Sequence, residues 1–358
     1  MQGHFCNFRR GCGDCVPTCI FLRFMVQCYQ HSVPRRSRRE RMSKRKPDTV
    51  SGVLIVNKHG GVTSHRIISA CRRLYDTQRI GHAGTLDPIA TGVLPVLIGR
   101  AAKAADYIIR HDKSYRCEML LGMTTDTEDV TGEILTRADP ALIPDEETVR
   151  AAISRFVGTI EQVPPMYSAL KVGGKKLVDI ARAGGEVERA PREIEIYSIG
   201  AEKLSADRYA LDVSCSKGTY IRTLCADIGR ELGCGAVMAA LTRTRTGRFT
   251  LDEAVTIEEL ESMTEAERLR VLRPVESLFE ELPALELDEF HARLIRCGSD
   301  LYQKKIRTDY PAGTLIRLRR GGAFFALGRA EVKPAEPGDG GEGIPVIRLE
   351  KLFVLEES

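Results

Sequence analysis

Apolar and polar residues alternate in short blocks along this chain, and the blocks predict its elements one by one. Val53-Leu54-Ile55-Val56 is a continuous apolar run ahead of Asn57-Lys58-His59-Gly60-Gly61, which predicts a buried strand entering a turn. Thr63 or Ser64 then stands where a helix cap belongs, before Ile67, Ile68, Cys71 and Leu74, which recur at helical spacing. Val93–Ile98 predicts a second buried strand, followed by a helix over about residues 101–109. The segments 113–119 and 209–215 alternate as half-buried strands do. Residues 145–156 predict an amphipathic helix with acids near its N-terminus, where the helix dipole favours them. Another helix follows Gly218-Thr219-Tyr220-Ile221-Arg222 and ends near Leu232, with Gly233 as its stop.

These strands and helices do not repeat as βαβ units, so the pattern predicts an α+β fold with a largely antiparallel central sheet. Composition shifts at Leu282-Pro283. Beyond it short strands dominate, at 314–319, at 323–329 and, after a linker rich in Pro, Gly and Glu over Lys333–Gly343, at 344–349. The expected organisation is a main domain over 43–280 and a small β-rich domain over 281–358, large enough for its own core.

Residues 1–42 differ from the rest. They hold eight arginines against one Asp and one Glu, a surplus of six, so the remaining chain is net −2 although the whole is +4. Any nucleic-acid contact by the folded body therefore has to come from a local patch rather than from net charge. Five of the eleven cysteines also fall in this leader, and the other six are scattered without metal-ligand spacing, as in a reducing compartment. The leader is expected to be disordered. Its arginines suit an RNA backbone, and Met42 would equally serve as the true start. No run reaches the length of a membrane span, and 43% hydrophobic with 28% charged residues fits a globular protein.

The candidate chemistry sits in Gly81-His82-Ala83-Gly84-Thr85-Leu86-Asp87-Pro88-Ile89-Ala90-Thr91-Gly92. One carboxylate, Asp87, stands among small and apolar residues, in a frame of glycines and a proline that presets the backbone. Taken alone, Asp-Pro also fits a simple turn. The company of this loop shifts the balance. Lys113-Ser114-Tyr115-Arg116, Pro165-Met166-Tyr167-Ser168-Ala169-Leu170-Lys171 and Ser216-Lys217-Gly218-Thr219-Tyr220-Ile221-Arg222 follow in that order. Together these motifs resemble the bacterial tRNA pseudouridine-55 synthase family, closely over about residues 50–250, with a C-terminal segment similar to an RNA-binding PUA domain.

The resemblance implies a pseudouridine synthase fold and isomerisation of one uridine in the T-arm loop of tRNA after that base is flipped from its stack. Asp87 is implied as the catalytic carboxylate, either adding to the sugar or removing a ribose proton, and Arg222 as its cationic partner. Tyr115 would stack on the uracil and serve proton transfer at C5, although an alternating strand also uses such a residue for packing. Tyr220 and Leu241 would wall the base pocket, and His82 would fill the gap left in the RNA. Lys58 and Lys103 match basic positions near RNA phosphates, and Lys171, Lys175 and Lys176 suit an RNA-gripping hairpin. His59 departs from the usual proline, which puts the turn around Lys58 in question. No metal, cofactor, membrane or obligate protein partner is implied, and the expected location is cytoplasmic. A guide-RNA-dependent, dyskerin-type synthase and a tRNA-folding chaperone are the alternatives.

Overall fold

The computed structural model describes residues 50–334 and 343–354. The leader and most of the linker Lys333–Gly343 lie outside these residues. The central element is a nine-stranded sheet. Its main strands are β1 (Gly52–Lys58), β2 (Thr91–Ile98), β3 (Lys113–Leu121), β4 (Gly158–Gln162), β5 (Arg192–Lys203), β6 (Arg208–Cys215) and β7 (Ala236–Thr246). They lie in the order β1-β2-β7-β3-β6-β5-β4, with Ile80–His82 added beside β2 and Phe249–Thr250 beside β7. The β2–β7 pair is parallel and the other pairings in this sheet are antiparallel. The sheet is thus mixed and largely antiparallel, as its residue pattern predicts.

Three helices matter for the site. In α1 (Ser64–Leu74), Thr63 is the cap, accepting from the Arg66 N–H, and Ile67, Ile68 and Cys71 are buried. In α2 (Glu146–Ser154), the Asp145 side chain accepts from the Thr148 N–H. In α3 (Ile221–Glu231), Tyr220 is the cap residue but its side chain makes no capping bond. Residues 99–108 differ from the expected helix: Gly99–Ala104 is a 3₁₀ segment, and only Ala105–Ile108 is α-helical. Ala101 and Ala104 are both fully buried, and the three-residue repeat of the tighter helix puts both on one face.

Strand β7 has no counterpart in the sequence reading. Register shifts between Met238 and Ala240 and between Arg243 and Arg245 break its alternation, so its pattern does not read as a strand. It nonetheless occupies the middle of the sheet. Gly92 at the start of β2 has φ +99°, and a Cβ there would stand 2.2 Å from the Arg243 carbonyl oxygen. Only glycine permits that approach.

A five-stranded sheet completes the fold: β8 (Ala284–Glu286), β9 (Leu301–Tyr302), β10 (Leu315–Arg320), β11 (Ala323–Lys333) and β12 (Ile344–Leu352), ordered β8-β10-β11-β12-β9. It is the small β-rich, PUA-like C-terminal part. An apolar cluster joins it to the central sheet, in which Val53, Ile55, Val93 and Leu97 pack with Phe279, Phe324, Leu327 and Phe353. The Phe279 ring lies 5.5 Å from Tyr107, 6.0 Å from Phe324 and 5.6 Å from Phe353, centroid to centroid. Phe279 is 2% exposed. Phe279→Ala is therefore expected to destabilise the protein by about 3–5 kcal/mol in denaturant titration. A loss below about 1 kcal/mol would show that the aromatic seam does not join the two sheets energetically.

Candidate active site

Asp87 lies in the loop between the short strand Ile80–His82 and β2, and buried side chains hold that loop from beneath. Ser64, at the start of α1, receives the Leu86 N–H and donates to the Leu86 carbonyl, both at 3.0 Å. Lys58, at the end of β1, sends its ammonium to the carbonyls of Ala90 and Pro88, the latter at 3.2 Å. Arg243 of β7 donates to Gly84 O at 2.9 Å and to Val93 O at 2.7 Å. Within the loop the Ala90 N–H returns to Asp87 O at 3.1 Å. Buried carbonyls need donors, and here cationic side chains supply several of them. Burial pushes the Lys58 ammonium down to about 8; Asp87 opposes this and Arg243 adds to it.

The carboxylate of Asp87 meets Arg222 from the first turn of α3, with Oδ2 3.1 Å from Nη2. Arg222 is 5% exposed and engages more than one partner. The same Nη2 donates to Tyr167 O at 2.7 Å, and Nη1 lies 3.9 Å from Asp129 Oδ2. Asp129 is itself buried, in a turn where Glu128 adopts φ +63° and bonds Thr223 of α3. About a third of the Asp87 side chain still faces the cavity, yet protein encloses the surroundings, so desolvation dominates its titration. Its carboxyl is held above the usual aspartate value by that burial; Arg222 pulls it down, Asp129 pushes it up, and Lys58 pulls it down.

Above this pair opens a cavity of about 370 Å³, in the range of small-ligand sites. Six of the residues singled out in the sequence line it together: His82, Asp87, Tyr115, Tyr220, Arg222 and Leu241. Tyr115, on β3, is 8% exposed, and burial raises its phenol while Arg243 opposes that rise. His82 is pushed towards the neutral form by desolvation, then by Arg243 and His65. Gln162 fixes the Tyr220 main chain, accepting its N–H at 2.8 Å and donating to its carbonyl at 3.1 Å. That amide fixes the residue from which α3 starts, two positions before Arg222.

One half-buried carboxylate, a cation against it and two aromatic side chains thus line a cavity of small-ligand size. The profile of the TruB family pseudouridylate synthase N-terminal domain matches residues 72–221, and that of the tRNA pseudouridylate synthase B C-terminal domain matches 222–280. The chain is 43% identical over 282 residues to tRNA pseudouridine synthase B of Aromatoleum aromaticum, covering 79% of this chain and 89% of that protein. The chain belongs to the TruB family of pseudouridylate synthases. To the tRNA pseudouridine synthase B of Clostridium perfringens (strain 13 / Type A) it is 42% identical over 310 residues, 86% of this chain and 100% of that one. A chain of the solved Cbf5-Nop10-Gar1 complex superposes with a TM-score of 0.62 at 26% identity, covering 85% of each. The boundary between the two TruB profiles falls inside the first turn of α3, between Ile221 and Arg222, not at a break in the fold.

The two lysines matched to positions near RNA phosphates, Lys58 and Lys103, do not line the cavity. Lys58 is fully buried beneath the loop with its donors taken up by carbonyls, so it is placed to hold the Asp87 loop rather than an RNA phosphate. Lys103 is exposed, outside the cavity, and donates to Leu352 O at 2.8 Å on β12. Four residues that sequence reasoning missed are Ser64, Asp129, Gln162 and Arg243. Ser64 reads only as a candidate helix cap and the other three carry no local signal, so only distant partners give them these roles. Lys58→Met removes a donor from two loop carbonyls, at a cost of about 1–3 kcal/mol for an unsatisfied buried group. The turnover rate is expected to fall while tRNA affinity and its salt dependence stay as in the wild type. Weaker binding with a shallower salt slope would restore Lys58 to the phosphate role.

Proposed function

We propose that this pseudouridine synthase converts one uridine in the T-arm loop of tRNA to pseudouridine, in the cytoplasm, with Asp87 as its catalytic carboxylate. The observation that carries the reading is the Asp87–Arg222 contact of 3.1 Å at the floor of a cavity walled by Tyr115, Tyr220 and Leu241. The tRNA substrate rests on the identity to tRNA pseudouridine synthase B proteins, which exceeds that to the Cbf5-containing complex. The same difference supports a synthase that needs no guide RNA and no obligate protein partner.

The reaction exchanges the C1′–N1 bond for a C1′–C5 bond, with one proton lost at C5 and one gained at N1. The carboxylate of Asp87 acts on the ribose, by addition at C1′ or by removal of a ribose proton, and Arg222 aims it. Uracil enters flat between Tyr115 and Leu241, and a stacked base reaches this depth only by flipping out. His82, which lines the cavity and is pushed towards the neutral form by burial, suits the space left in the RNA. Lys171, Lys175 and Lys176 flank a two-glycine turn and are exposed, as an electrostatic grip on phosphates requires. The catalytic domain in this reading spans 43–280, and the PUA-like module, 281–358, adds to RNA contact.

The test is to incubate the purified chain alone with an unmodified tRNA transcript and map pseudouridine. Product at the T-loop uridine is expected, and Asp87→Asn should abolish it while leaving tRNA binding within about threefold. Binding without product by the wild type would refute the stand-alone reading. Turnover by Asp87→Asn would refute the assignment of Asp87.

A further inference from the structure

Arg243 is the least explained charge near the cavity. It is 1% exposed and among the largest fully buried side chains, and no carboxylate among the described residues lies within ion-pair distance of it. Its bonds to Gly84 O and Val93 O satisfy hydrogens without neutralising charge. The ionisable groups around it include Lys58, Lys113 and His82, whose positive forms it disfavours, and Tyr115. A buried cation among other basic groups costs stability, and loop support alone would not require the charge. Tyr115 is its direct cross-strand neighbour between β3 and β7, and both side chains line the cavity.

We propose that Arg243 is a positioning residue for the isomerisation, acting through Tyr115 by holding the phenol and polarising it for proton transfer at C5. This rests on the role given to Tyr115 above. Once C1′ is joined to C5, that carbon still bears its hydrogen, and N1 is doubly bonded to C6. The Tyr115 oxygen takes the C5 proton as its own hydroxyl proton passes to solvent. The C5–H electron pair becomes the C5–C6 double bond, and the C6–N1 pair takes up a proton from solvent at N1. Phenol and charge are both restored at the end. Arg243 stabilises the negative charge that the phenol oxygen gains during transfer. Besides Arg243, Tyr115 faces Cys215 on β6 and Asp87 in the loop, both of which oppose that charge, while burial opposes it most.

A double-mutant cycle in single-turnover assays with tRNA tests this. Arg243→Met is expected to slow pseudouridine formation about 10²-fold, as loss of assistance to a proton transfer does. On the Tyr115→Phe background the same change should cost less than about threefold more, because the two residues act as one unit. Arg243→Met should also move the alkaline limb of the pH–rate profile to higher pH, since the phenol loses its cation, with tRNA affinity unchanged. Arg243→Lys, which keeps a cation in place, should recover part of the rate, and it carries the cycle if the Met variant does not fold. Multiplicative losses, or a slowed enzyme with an unshifted pH profile, would reduce Arg243 to a loop support and overturn the proposal. Tyr115→Phe at the wild-type rate would instead refute the role of Tyr115 itself.

Discussion

The site depends on one constraint: a loop that carries a carboxylate must be held rigid where water cannot satisfy its backbone. Ser64, Lys58 and Arg243 meet that constraint from α1 and β1, which are neighbours in the chain, and from β7, which is distant from both. Each reaches a different part of the loop, at Leu86, at Pro88 and Ala90, and at Gly84. The loop's conformation is therefore a property of the packed sheet rather than of its own residues. Buried donors of this kind restrict the carboxylate to a narrow range of positions, which is what orienting a reactive group against a sugar demands.

Electrostatics then sets the character of Asp87. Arg222 attracts it, while burial and Asp129 work against its charge. Arg222 is shared between Asp87, Asp129 and the Tyr167 carbonyl, so its pull on any one of them is divided. A carboxylate paired without being over-stabilised stays available for the chemistry proposed for it at the ribose. The Tyr167 contact ties this balance to the segment leading into the Lys171–Lys176 hairpin. Lys171, Lys175 and Lys176 of that hairpin are exposed, whereas the chain's net positive charge comes from the arginine-rich leader.

Four of the nine strands of the central sheet were legible, because segments such as 113–119 alternate, whereas β4, β5 and β7 were not; helices such as α1 were legible from their caps. What escaped had physical reasons. The bulges of β7 hide its period, and nothing in its Thr-Arg-Thr-Arg segment marks Arg243 as buried. Lys58 was recognisable as a special lysine but not as a buried one, because its carbonyl partners lie 30 and 32 residues away. Lys103 turned out to face a strand from the far end of the chain. Gln162 and Asp129 sit in segments with no local signal, and their roles exist only through Tyr220 and Arg222. The cavity residues themselves were readable because Asp87, Tyr115 and Arg222 occur in motifs whose order, not their individual chemistry, marks them.

The central claim is that burial in this frame, balanced by Arg222 and Asp129, sets the charge state of Asp87. A carbon NMR titration of the Asp87 carboxyl, assigned by its loss in Asp87→Asn, tests it directly in the wild type and in Asp129→Asn. The account predicts that Asp87 titrates above the usual aspartate value, and that Asp129→Asn lowers it by removing a like charge. An Asp87 that titrates at or below the usual value, unmoved by loss of Asp129, would contradict it.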